Sequence, residues 1–200
     1  MSGAIVNISV LVSGGGSNLQ AIMDGVASGA IQGARVALVL SSKPGVCALE
    51  RAENAGIDTA IVSAKDYPAE AERTAVILNR LAAANTDMIV LAGYMSVLPA
   101  EIVRAYRGRI INIHPSLIPK HCGKGYYGER VHRSVLDAGD KESGATVHFV
   151  DEGVDTGEII LQRKVPVFPD DTVETLASRV LKTEHEIIVL AVAICVNKCD

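Results

Sequence analysis

Short apolar runs alternate along the chain with longer segments in which apolar positions recur every three or four residues. Residues 5–12, 35–40, 58–62 and 88–92 are apolar and β-branched over only a few positions, as strands buried on both faces require. Between them, residues 17–27, 47–55 and 69–84 have helix-forming composition and helical length. Residues 98–106 read as a further short helix, and residues 110–114 as a fifth strand stopped by Pro115. Such strand–helix alternation predicts an α/β domain, a parallel sheet wrapped by helices.

After Pro119 the texture changes. Residues 120–128 are glycine-rich and polar and read as a mobile loop. Residues 129–138 look helical, and 145–150 and 159–167 read as strands joined by an acidic loop over 151–158. Residues 171–196 form a long closing helix. Repeats, low-complexity tracts and linkers are absent, so the 200 residues are expected to form one domain.

Composition narrows the function classes. At 48% hydrophobic and 21% charged residues, the chain has the apolar content of a folded core rather than of a disordered segment. Nineteen basic against 23 acidic residues leave a formal charge of −4, with no general footprint for nucleic acid. No apolar run reaches the roughly 18 residues that span a bilayer, and residues 1–16 lack the basic start of a secretory leader. The four cysteines are scattered, and a chain of this size does not need them as staples. A reduced, cytoplasmic protein without membrane partners is expected.

Four places could carry chemistry. Ser13-Gly14-Gly15-Gly16-Ser17-Asn18-Leu19-Gln20 links the first strand to its helix, where free N–H groups attract an anion. Leu19 stands where a dinucleotide fingerprint needs glycine, and no Gly-Lys-Ser/Thr follows, so a monophosphate fits better than NAD or ATP. A tight turn capped by Ser17 explains the same residues. On the fifth strand, period two puts Asn112 and His114 on one face at the carboxyl end, where open α/β sheets place their sites. An amide beside an imidazole can stabilise a developing oxyanion and move a proton near neutral pH.

Asp155, in the acidic loop, is a candidate to orient His114 and raise its pKa, with Asp151 and Glu152 as competitors. Thr146 and His148 share a strand face and suggest a second polar cluster, although His148 reads more simply as a core histidine. Glu184 falls on the apolar stripe of Val173, Ala177, Val180, Ile187, Ile188 and Ala191. A carboxylate there calls for a polar partner, ribose hydroxyls or an Arg such as Arg179, unless it sits at the edge of the stripe. No residue set has structural-zinc spacing, and no metal is expected.

Ser13–Gln20, Leu91-Ala92-Gly93-Tyr94-Met95, Asn112-Ile113-His114-Pro115-Ser116-Leu117, Val147-His148-Phe149-Val150-Asp151 and Asp155-Thr156-Gly157 occur in this order. Together they resemble the phosphoribosylglycinamide formyltransferase family of folate-dependent formyltransferases, over nearly the whole chain. The resemblance implies a Rossmann-like, mostly parallel sheet with helices on both faces, the formyltransferase fold. It implies transfer of the formyl group of 10-formyltetrahydrofolate to glycinamide ribonucleotide in purine synthesis, with no metal. Carried over, Asn112, His114 and Asp155 are the catalytic set, with His114 protonated, and Gly16, Ser17, Asn18 and Glu184 bind phosphate and ribose. Met95, Ser96, Val97, Leu98, Asn112, Asp151, Glu152, Gly153, Val154 and Asp155 line the folate pocket. The first half, about residues 1–110, would hold the phosphate, and the second, about 111–200, the catalytic and folate groups. Small-molecule substrates are the implied partners, and a homodimer is the assembly allowed for. The chain departs from the family around Glu70, where members often carry an Arg for the folate tail. The rival readings are a 10-formyltetrahydrofolate hydrolase and a non-catalytic nucleotide-binding module.

Overall fold

Strand β1 (Val6–Val12) lies between β2 (Ala34–Ser41) and β4 (Met88–Leu91), parallel to both. The computed structural model describes residues 5–198; expectations resting on residues 1–4 and on Cys199 lie outside them. Strand β3 (Thr59–Ile61) pairs parallel with β2, and β5 (Ile110–His114) parallel with β4. Two antiparallel strands, β6 (Glu142–Phe149) and β7 (Ile159–Pro166), continue the sheet, giving the order β3-β2-β1-β4-β5-β6-β7 among the described residues. The order reverses at β1 and β4, and doubly wound sheets bind ligands in the crevice at such a switch point.

Alternate residues of the strands feed two apolar layers. Val10, Val90, Ile111, Ile113 and Val147 face helices α1 (Ser17–Ala27), α2 (Cys47–Asn54) and α6 (Val173–Val196). Leu11, Ile89 and Ile110 face α3 (Glu70–Ala83) and α4 (Ala100–Ala105), which contribute Ile77, Leu81, Ile102 and Val103. Helix α5 (Glu129–Asp137) packs its buried Val131 and Val135 beside α6. The expected mostly parallel sheet with helices on both faces is therefore the observed architecture.

Element ends differ from expectation where polar chemistry intervenes. Helix α6 starts at Val173 because Thr172 caps it: its hydroxyl accepts from the Thr175 N–H, and the Thr175 hydroxyl accepts from the Thr172 N–H. Strand β6 begins at Glu142, earlier than the apolar pattern, because its polar lead-in still pairs with β7. Gly144 within that lead-in is required sterically, since a Cβ would lie 2.1 Å from the Arg163 carbonyl oxygen. No helix among the described residues is long and apolar enough to cross a membrane.

Candidate active site

Two polar regions gather at the carboxyl ends of the central strands. The first is the head of α1. Gly16 occupies the N-cap position with φ 74, and no side chain caps the helix, so the reading of Ser17 as a cap does not hold. The first helical bond runs from the Gln20 N–H to the Gly16 carbonyl at 2.9 Å. The N–H groups of Ser17, Asn18 and Leu19 therefore have no acceptor within the helix and converge on the anion-binding end of its dipole. The loop is held from α2: Ala48 N–H donates to the Gly14 carbonyl (3.2 Å), and Arg51 Nε donates to the Gly15 carbonyl (2.9 Å). Arg51 is a residue that sequence reasoning missed, since its target is a backbone atom in another element. Ser13 Oγ pairs with Ser42 Oγ at 2.6 Å and accepts from the Met95 N–H at 2.9 Å, tying this loop to the one after β4.

Deep in the same region, Glu184 is buried on α6 and accepts from Asn18 Nδ2 at 2.7 Å. Burial pushes its carboxyl pKa up, against the lowering effect of the Asn18 hydrogen bond. Asn18 Oδ1 is buried and finds no partner among the described residues. Arg179, the other candidate partner for Glu184, is committed elsewhere: its guanidinium makes bonds of 2.6 and 2.7 Å to Asp171. The pair is thus an acceptor-rich buried edge, suited to the hydroxyls of a sugar.

The second region surrounds His114. Cross-strand pairing puts Asn112 opposite His148 and His114 opposite Thr146, so the two polar pairs form one cluster rather than two. Asn112 Nδ2 lies 3.2 Å from His148 Nε2 and 3.4 Å from Asp155 Oδ1. Asp155 Oδ2 is 3.7 Å from His114 Nδ1, and Asp155 Oδ1 is 3.5 Å from His148 Nε2. His148 is thus a buried histidine that also belongs to the site. The signal was its place two residues from Thr146, on the same face of the strand.

Of the three acidic candidates, the fold of the β6–β7 loop selects Asp155. Asp151 turns inward on its own loop, accepting from the Gly153 N–H (2.9 Å) and the Thr156 hydroxyl (2.6 Å). Glu152 reaches an exposed pairing with Arg104 at 3.7 Å. Asp155 itself adopts φ 57, a left-handed conformation uncommon outside glycine and found at functional sites. The Gly123 N–H donates to Asp155 Oδ2 at 2.8 Å, and the His121 carbonyl accepts from His114 Nε2 at 2.9 Å. The start of the glycine-rich loop is therefore docked on the site.

Burial and charge act on His114 in opposite directions. Asp155 does pull the His114 pKa upward, as does the His121 carbonyl, but burial acts more strongly and the net shift is downward. The neutral His114 ring of the unliganded protein carries its proton on Nε2, where the His121 carbonyl accepts it. Burial pushes Asp155 up, yet hydrogen bonds from His148 and Gly123 and the nearby imidazoles hold it below its ordinary value, so it is an anion.

Residues 95–98 follow β4 at the rim between the two regions. Met95, Ser96 and Val97 are exposed, whereas Leu98 is buried in the α3–α4 layer, against which Tyr94 and Val150 also pack. Val154 is exposed in the opposing loop. No group of three or more His, Cys, Asp or Glu among the described residues could hold a metal.

An anion-binding helix terminus at the switch point, beside a histidine–carboxylate centre on the next strand but one, defines an α/β enzyme domain that can hold a charged substrate and shuttle a proton. The chain belongs to the formyl transferase family, which matches residues 6–192. It is 42% identical over 188 residues to phosphoribosylglycinamide formyltransferase of Escherichia coli (strain K12), covering 94% of this chain and 86% of that one. It is 50% identical over 192 residues to the trifunctional purine biosynthetic protein adenosine-3 of Drosophila melanogaster, of which it spans only 14%. Glycinamide ribonucleotide transformylase 1 from Symbiobacterium toebii superposes with a TM-score of 0.91 at 43% identity, over 97% of this chain and 89% of that one.

Proposed function

We propose that the chain transfers the formyl group of 10-formyltetrahydrofolate to the amine of N1-(5-phospho-D-ribosyl)glycinamide, giving formylglycinamide ribonucleotide and tetrahydrofolate in purine biosynthesis. The observation that carries the reading is that Asn112 and His114, on the strand next but one to the anion site, both meet Asp155, at 3.4 and 3.7 Å. The names of its relatives support the same chemistry.

In this reading Gly16, Ser17 and Asn18, at the head of α1, take the phosphate, and Glu184 with the orphaned Asn18 oxygen takes the ribose hydroxyls. Residues 95–98 and 151–155 flank the folate, which supplies an activated formyl group. As the substrate amine bonds to the formyl carbon and the bond to the folate nitrogen breaks, negative charge grows on the formyl oxygen. Asn112 Nδ2 is a donor for that oxygen, and His114 becomes one only once its Nδ1 is protonated, because its Nε2–H is held by the His121 carbonyl. His114 Nδ1 is the atom that takes up a proton, and the Asp155 carboxylate 3.7 Å away stabilises the resulting cation. The proton lost by the amine is returned to the leaving folate nitrogen. Small molecules are then the substrates, a homodimer is the assembly allowed for, and the cytoplasm is the place of action.

Mass spectrometry of products tests this. The chain is incubated with 10-formyltetrahydrofolate, with and without the ribonucleotide. One formyl group on the ribonucleotide, with tetrahydrofolate formed only in its presence, is expected. Formate released without the ribonucleotide would make the chain a hydrolase, and no product at all would leave a binding module.

A further inference from the structure

The His114 ring is touched on its second nitrogen by a backbone atom, and that atom belongs to a residue with an anchor of its own. His121 Nε2 lies 2.9 Å from Asp140 Oδ2, and His121 Nδ1 lies 2.8 Å from Ser134 Oγ. Lys120 Nζ reaches the same Asp140 carboxylate at 3.2 and 3.3 Å. Ser134 is on α5, and Asp140 follows that helix before β6, so both anchors belong to rigid neighbours of the loop. His121 also lines a cavity of about 430 Å³, and its ring meets Tyr126 edge-on with centroids 6.4 Å apart. His121 adopts φ 51, a left-handed conformation uncommon outside glycine. Both ends of the residue are thus engaged: the side chain on α5 and Asp140, the carbonyl on His114.

We propose that His121 is a positioning residue for the transfer: its side chain, anchored by Asp140 and Ser134, presents its carbonyl to His114 Nε2 and so leaves Nδ1, facing Asp155, as the nitrogen that takes up the proton. A neutral imidazole has one N–H, and a carbonyl 2.9 Å away accepts it, which decides the tautomer. Two residues on, the Gly123 N–H holds Asp155 from the same loop, so one anchored segment sets both members of the pair. The proposal rests on the transferase reading for its kinetic consequence, but the tautomer is a property of the unliganded protein.

The test compares wild type with His121→Phe and with Asp140→Ala, which leaves the loop sequence intact. Nitrogen-15 NMR of the histidine rings in the unliganded protein, with His114 assigned from His114→Ala, reads the tautomer directly. His114 is expected to be the Nε2–H form in wild type and a mixture in both variants. Turnover should fall about tenfold to a hundredfold with the KM for the ribonucleotide unchanged within about twofold, since a misplaced catalytic group acts on the reacting geometry. His114 remaining wholly in the Nε2–H form in both variants would overturn the proposal, as would a raised KM with unchanged turnover. Should His121→Phe not fold, Asp140→Ala alone decides. Loss of the transferase reading shows in the product assay, and the NMR result stands apart from it.

Discussion

Replacing Gly16 by alanine tests whether the anion loop depends on the close approach of α2. The position has φ 74, which costs an L residue roughly 1–2 kcal/mol. A Cβ there would also sit 2.7 Å from Ala48 Cβ and 2.8 Å from Ala48 Cα, the second of which cannot rotate away. Overpacking of this kind costs about 1–3 kcal/mol. Together the two effects predict a loss of about 2–5 kcal/mol, which for a chain of this length lowers Tm by about 4–20 °C. Gly14 and Gly15 are internal controls: neither has a positive φ, and a Cβ at either meets nothing within 4 Å. Their alanine variants should stay within about 1 kcal/mol of wild type. The assay is thermal unfolding of the three variants, followed by titration of the ribonucleotide at a temperature where all are folded. Gly16→Ala should also weaken that binding, because relief of the clash must move the first turn of α1. Ala48→Gly should restore part of the stability, as it removes one of the two colliding atoms. Equal Tm values for the variants at 15 and 16 would refute the reasoning.

Further outcomes follow from the two polar regions. Asp155→Asn removes the charge that supports a protonated His114, so turnover should fall about 10²- to 10⁴-fold, with the acid limb of the pH–rate profile moved to lower pH; a profile that does not move would detach the two residues. Glu184→Gln relieves a carboxylate whose pKa burial raises, so Tm at neutral pH should increase while the ribonucleotide KM rises about tenfold or more; a lowered Tm or an unchanged KM would count against it. His114, His132 and His185 all have pKa values depressed by burial. Below about pH 6.5 the unfolded chain binds protons that these rings refuse, so stability is expected to fall as pH drops through that window. A Tm flat from pH 7 to pH 5 would show that the rings are not buried neutral.

Most of the architecture was legible along the chain, because strands covered on both faces must be short, continuous apolar runs. Residues 88–92 and 110–114 illustrate this, and Pro115 marks the end of β5 without any tertiary information. The face shared by Asn112 and His114 follows from period two alone. Glu184 was conspicuous as a charge on an apolar stripe, and Gly16 as a glycine at a strand–helix turn.

What the chain order could not decide is everything that depends on neighbours distant in sequence. The membership of His148 rests on β5–β6 pairing across 36 residues, and to local pattern it is only one more buried histidine. The choice among Asp151, Glu152 and Asp155 needed the loop conformation that folds the first upon itself, sends the second to Arg104 and carries the third back to His114. The direction of the His114 pKa shift turned on the balance between an attractive carboxylate and burial, and burial is a property of the packed molecule alone. Local sequence determines periodicity and backbone freedom; tertiary packing decides which polar groups lose water and which partner replaces it.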